Sequence, residues 1–140
     1  MVIRQRFGPD EAARLLAKRY QILVGWCPRK TILRDPFAVC DARSVLEEEL
    51  VPIKLIYPNR EAESFSIRPP LEGRTDEGHK WYYLHKQTPE EVLIFKIFDS
   101  KTSVSRRAPH SAFVDKEYEK EDPHASLEIR ALVFYDDDNT

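Results

Sequence analysis

The sequence predicts a mainly β fold, a sandwich or barrel of about eight short strands entered through one helix. A single amphipathic stretch near the amino end gives the helix. Short β-branched and aromatic runs separated by turn residues give most of the strands. A final segment, residues 127–135, alternates in polarity and gives the last one.

The helix comes first. Pro9, Asp10 and Glu11 suit an opening turn and Lys18 and Arg19 a closing one, because the helix dipole favours acids at its start and bases at its end. Ala12, Leu15, Leu16 and Arg19 share one face at helical spacing, a stripe suited to packing on a sheet. Strands are expected at 21–24, 37–40, 50–57, 65–67 and 81–84. Residues 92–98 are nearly continuously apolar, as in a buried strand. In 127–135, Leu127, Ile129, Ala131, Val133 and Tyr135 fall on one face, with Glu128, Arg130, Leu132 and Phe134 on the other. Ser44 with Glu47 and Thr88 with Glu91 match the reciprocal S/T-x-x-E cap. The second reads as one turn leading into a strand, since Ile94, Phe95, Ile97 and Phe98 are β-formers without a polar face. Residues 136–140, with three aspartates, read as a disordered acidic tail. No repeat or low-complexity linker divides the chain, so 1–140 is expected to be a single domain.

Composition excludes several functions. Lys plus Arg number 22 and Asp plus Glu 24, a net charge of −2, which is not the basic footprint of a nucleic-acid binder. No run approaches the roughly 18 apolar residues of a membrane span. The first residues lack the apolar core of a signal peptide, so a cytoplasmic protein is expected. Four glycines leave no G-x-G-x-x-G, and Gly78-His79-Lys80 is not a phosphate loop. Cys27 and Cys40 are too few for a disulfide framework or a zinc knuckle and read as packed thiols.

Four histidines remain as candidates for chemistry. His79 and His85 flank the aromatic cluster Trp81-Tyr82-Tyr83 and read as partly exposed strand-edge residues. His110 lies where a loop enters a short strand, and His124 just before the last strand. No His-x-Asp, His-x-Glu or nucleophile elbow occurs, so spacing alone defines neither a metal site nor a triad.

Several motifs in order carry a resemblance. They are Pro36-Phe37-Ala38-Val39-Cys40-Asp41-Ala42-Arg43-Ser44-Val45, Leu50-Val51-Pro52 on to Tyr57-Pro58-Asn59-Arg60, and Lys80-Trp81-Tyr82-Tyr83-Leu84. Thr88-Pro89-Glu90-Glu91-Val92 through Phe98-Asp99-Ser100, Pro109-His110-Ser111-Ala112-Phe113, and Ser126-Leu127-Glu128-Ile129-Arg130-Ala131-Leu132-Val133-Phe134 continue it. The chain resembles the AsaB-type hydroxylase/desaturase family of gibberellin desaturase/CmcJ-like non-haem iron oxygenases. The resemblance covers nearly all of this chain and roughly the carboxyl-terminal half of the family.

The resemblance implies a partial double-stranded β-helix (jelly-roll) with one amino-terminal helix. It also implies Fe(II) and 2-oxoglutarate, used to hydroxylate or desaturate small molecules in secondary metabolite biosynthesis. That chemistry needs two histidines and a carboxylate on one face of the iron. It also needs an arginine with a nearby hydroxyl for the far carboxylate of 2-oxoglutarate. By resemblance, His110 takes the place of the distal metal-binding histidine. The family's His-x-Asp pair lies upstream of the leading helix, outside this chain. His124 stands where the family has the arginine of Arg-x-Ser, and Ser126 keeps the serine. Val24-Gly25-Trp26-Cys27-Pro28 replaces Asn-x-Trp-Arg-Pro. Arg130 is either a substitute anion clamp or an ordinary strand residue paired with Glu128.

Two functions are therefore expected. One is an oxidoreductase, truncated and impaired as an isolated chain, whose missing ligands come from a partner chain or from upstream sequence. The other is a non-catalytic half-barrel remnant that binds a partner protein. The expected partners are a small-molecule substrate if the protein is active, and a second copy or another chain covering the open barrel edge. Nucleic acid and membrane are not expected.

Overall fold

A computed structural model describes residues 2–74 and 77–139. Two helices lead where one was expected, α1 (Val2–Arg6) and α2 (Pro9–Leu16). Helix α2 stops at Leu16, and Lys18 already opens the long strand β1 (Lys18–Pro28). Arg19 therefore belongs to a strand, where its Nη2 lies 2.9 Å from Asp99 Oδ2 across the sheet. That ion pair, with the β-forming run Tyr20 to Val24 behind it, outweighs the weak preference of two bases for a helix end. The apolar part of the stripe packs as expected. Ala12 and Leu15 are buried with Ile3 and Tyr20, and Leu16, Phe98, Leu132 and Phe134 pack around them.

The remaining strands are β2 (Phe37–Cys40), β3 (Leu50–Tyr57), β4 (Arg60–Ile67), β5 (Trp81–Tyr83), β6 (Leu93–Asp99), β7 (His110–Ala112) and β8 (Ser126–Asn139). One sheet has the order β6-β1-β8, a second β5-β2-β7, and β3-β4 form a hairpin. All pairings are antiparallel. Val24 lies opposite both Phe95 and Arg130, and Val39 opposite both Tyr82 and His110. The two larger sheets share one core. Val24, Trp26 and Phe95 from the first sheet are buried with Ile32, and Phe37 and Val39 from the second pack against them. This is the mainly β architecture that the strand pattern predicts, in the form of the partial jelly-roll that the resemblance implies.

Local details depart from expectation. Thr88 and Glu91 form the expected turn, the Thr88 amide donating to Glu91 Oε2 at 2.8 Å. Ser44 and Glu47 do not cap each other. Instead Asp41 accepts from the Arg43 amide, and Glu49 Oε2 from the Leu46 amide. Where a tail from 136 was expected, β8 runs on to Asn139. Lys18 and Arg14 hold Asp136 against the helical end, so two cations offset part of the aspartate run. Thr140 lies outside the described residues.

Two buried carboxylates tie the segments together. Asp99 accepts from Arg19, Gln21 (2.7 Å), Lys96 (2.6 Å) and the Lys101 amide (3.0 Å). Tyr135 donates to Gln21 at 2.8 Å, carrying the network into β8. Glu49 accepts from the Leu46 and Leu71 amides and from Arg74, and lies 2.9 Å from His79 Nε2. His79 is thus a buried partner, its side chain 8% exposed, and not the strand-edge residue that the sequence suggests. Its flanking aromatics do not reveal this, because Glu49 is distant in sequence.

Burial raises the pKa of both carboxyls, and their hydrogen bonds more than reverse it. For Glu49 these come from the Leu71 amide, His79, the Leu46 amide and Arg74; for Asp99, from Arg19, Lys96, Gln21 and the Lys101 amide. Both end well below the usual carboxylate range. Their stabilisation is complete above the ordinary values of 3.8 and 4.5 and is lost as pH falls below them. Circular-dichroism melts should show the thermal midpoint beginning to fall near about pH 5 and dropping most steeply below about pH 4, with the loss continuing below about pH 3. The variant Asp99→Asn, already destabilised, should show a flatter dependence.

Candidate functional site

His110 opens β7, which is held on β2 by pairing of Val39 with His110 and by the Cys40 amide donating to the Pro109 carbonyl at 2.7 Å. Its Nδ1 lies 2.9 Å from the Ala108 carbonyl. A carbonyl only accepts, so Nδ1 carries a proton, and in the neutral ring the lone pair is on Nε2. No described residue bonds to that Nε2. The ring packs 4.7 Å from Phe95 and 5.7 Å from Phe37, centroid to centroid.

The same aromatic cluster carries His124. Phe37 stacks on Trp26 at 4.5 Å and 13°, and the His124 ring meets Trp26 edge-on at 5.9 Å. His124 Nδ1 donates to the Asp35 carbonyl at 2.6 Å. Asp35 has φ 54°, the left-handed region that aspartate tolerates better than most residues. That conformation belongs to the turn whose carbonyl meets His124. The two histidines thus share one design: a main-chain carbonyl fixes Nδ1–H, and the ring rests on aromatic carbon.

Ser126 and Arg130 lie elsewhere on this scaffold. Ser126 begins β8 opposite Pro28, and Arg130 lies opposite Val24 on the same strand face. His124 precedes the strand, so alternation along β8 does not set its relation to Arg130. Arg130 Nε donates to Glu128 Oε1 at 2.7 Å, and the arginine side chain is 64% exposed. That is the ordinary strand pair of the two readings. Val24 is a core residue, and the Cys27 thiol lies 3.4 Å from the Pro89 carbonyl, where a longer arginine would have pointed out of the core.

Beside Phe37 lies a cleft of about 260 Å³ whose walls include Val39, Tyr82, Leu84 and Leu93. It is mostly apolar, with Gln87 and Glu91 also in its wall, and of a size for a small organic group. His110 and this cleft share the Phe37 ring.

A facial iron site needs three protein ligands. No group of three or more His, Cys, Asp or Glu side chains able to hold a metal ion occurs among the described residues. The residues present therefore do not fit a complete iron site. They supply one oriented imidazole, His110, where the resemblance places a ligand. Sequence reasoning missed Glu49, Asp99 and the aromatic cluster. Only the last had a signal, an aromatic in two expected strands, Phe37 and Phe95, with Trp26 two residues beyond a third.

No helix among the described residues is long and apolar enough to cross a membrane. Residues 1–134 match the oxidoreductase/YMDC permease-like domain. Hydroxylase/desaturase efuI of Hormonema carpetanum is 37% identical over 97% of this chain and 48% of its own length. Hydroxylase/desaturase asaB of Aspergillus flavus is 36% identical, covering 97% of this chain and 64% of the relative. Among solved structures, the iron and alpha-ketoglutarate-dependent endoperoxidase NvfI matches with a TM-score of 0.77 at 31% identity, over 95% of this chain and 48% of that one. The chain thus spans about half to two thirds of the length of these relatives. Over residues 1–134, the chain belongs to the oxidoreductase/YMDC permease-like family, that of the hydroxylases/desaturases.

Proposed function

We propose that this chain is the part of an Fe(II)/2-oxoglutarate-type hydroxylase or desaturase that carries one iron ligand, His110, and the cosubstrate end, His124, Ser126 and Arg130. It corresponds to the carboxyl-terminal half of such an enzyme and works in the cytoplasm on a small molecule of secondary metabolism. The observation that carries the reading is His110. Metal-ligating histidines characteristically donate their other ring N–H to a carboxylate or carbonyl, and His110 does so to Ala108. The apolar cleft beside Phe37 suits a small substrate. The other iron ligands belong to a segment outside these residues, so no catalytic step is assigned to the chain alone.

The test is a fusion of this chain to the upstream segment of efuI, titrated anaerobically with Fe(II) and 2-oxoglutarate. A saturable metal-to-ligand charge-transfer band is expected, and its loss in His110→Ala. Restoring the arginine with His124→Arg should lower half-saturation by 2-oxoglutarate about ten-fold, since each charge-assisted hydrogen bond contributes about 1.5–3 kcal/mol. A folded fusion without a band, or with one that survives His110→Ala, would overturn the assignment.

A second reading is a non-catalytic half-barrel that acts by binding a partner protein. The exposed apolar residues Ile94, Leu127 and Ile129 on the β6-β1-β8 sheet, with Val92 just before β6, favour it.

A further inference from the structure

Between Trp81 and Val92 every residue is exposed or half-buried except one, and that one is polar. Gln87 is 5% exposed, covered by this chain's own residues. Its main chain is held on both sides. Lys86 before it takes φ 54°, a left-handed turn that is costly for a lysine. The amide of the core residue Ile32 donates to the Gln87 carbonyl at 2.9 Å. The side chain is held as well, its Nε2 donating to the Glu91 carbonyl at 2.8 Å. A carbonyl only accepts, so the amide cannot be turned over and Oε1 forms its other end. That oxygen has no partner among the described residues. It is not sealed in either, since the one buried unpartnered side-chain nitrogen or oxygen among them is Arg107 Nη1. Gln87 lines the cleft beside Phe37, and that cleft is the open space next to the amide.

We propose that Gln87 Oε1 orients the substrate in this cleft by accepting a hydrogen bond from a hydroxyl on an uncharged, otherwise apolar molecule of one or two rings. The inference rests on the proposed function and names the substrate class for that site. A mostly apolar pocket takes its orientation from the few polar groups fixed in its wall, and Gln87 is fixed at both its main chain and its amide. Size follows from volume, because about 260 Å³ lies below the range that drug-sized ligands occupy. Charge follows from the wall, which contains one carboxylate, Glu91, and no cation. Glu91 Oε2 already accepts from the Thr88 amide and hydroxyl, so the carboxylate does not call for a cationic ligand. An anion would meet Glu91 and the Gln87 oxygen with nothing to offset its lost hydration. The cleft also shares the Phe37 ring with His110, 5.7 Å away between centroids, so a molecule held at Gln87 rests beside the position of the iron ligand.

The probes are 2-naphthol, its methyl ether and 2-naphthoate, titrated into the full chain and into the efuI fusion by heteronuclear NMR. In both proteins 2-naphthol is expected to shift the Gln87 side-chain amide signal. It should bind about five-fold more tightly than the ether, which keeps the rings and loses the donor. The naphthoate should bind more weakly than either. Gln87→Met keeps the length of the side chain and removes the acceptor. In that variant the ether should bind as before and 2-naphthol no better than the ether, whereas a change of packing alone would move both. Equal affinity for naphthol and ether in the parent overturns the proposal, as does tighter binding of the naphthoate. Binding to the chain but not to the fusion overturns it too, because the upstream segment then fills the cleft. So does the absence of binding to either folded protein. The His110-dependent band is recorded without these probes, so failure of the iron reading shows separately.

Discussion

Replacing Asp99 by alanine is expected to lower the unfolding free energy by about 3 kcal/mol, read as a shift of the urea midpoint at unchanged slope. The Asp99 side chain has no exposed surface, while Arg19 and Lys96 are 18% and 23% exposed. Removing the carboxylate leaves two cations and the Gln21 amide facing one another around a vacancy. Both cations keep some access to water, which places the loss at the lower end of the range for broken buried pairs. The network joins β1, β6 and, through Tyr135, β8, so the whole β6-β1-β8 sheet should lose cooperativity with it. Asp99→Asn keeps the shape and part of the hydrogen bonding and should lose less. Equal loss in both variants would mean that charge contributes little here.

The other large effect is expected at Trp26. Trp26→Ala should cost about 3–5 kcal/mol, the usual range for deleting a buried aromatic. Trp26 is 3% exposed, stacks on Phe37 and supports His124 edge-on. The cavity would open between the two sheets, among Val24, Ile32, Phe37 and Phe95. Trp26→Phe keeps a ring against Phe37 and should retain a large part of the stability. Urea denaturation of the two variants beside the parent checks this directly. A loss below about 1 kcal/mol in Trp26→Ala would show that the sheets do not depend on this stack.

The strands were legible because alternation and β-branched runs are local. Residues 37–40, 50–57 and 92–98 lie within a residue of their observed positions, and the Thr88–Glu91 turn leads into β6 as read. The end of the leading helix was not, because Arg19 obeys a partner 80 residues away that no local window contains. Glu49, in a run of three glutamates, looks like a solvated surface residue; only folding brings Arg74 and His79 to it. His110 and His124 could be picked out by resemblance, but not their shared arrangement. The carbonyl that fixes His124 belongs to Asp35, in a left-handed turn 89 residues earlier. The pairing of Arg130 with Glu128 was legible, since Glu128 stands two residues before it on the same face.

In the proposed reading this chain carries His110 but, among the described residues, no group that completes an iron site. The deciding experiment is an anaerobic titration of the chain by itself with Fe(II) and 2-oxoglutarate. A folded sample is expected to give no saturable charge-transfer band. A saturable band that disappears in His110→Ala would contradict the claim, because the remaining ligands would then have to lie within these 140 residues.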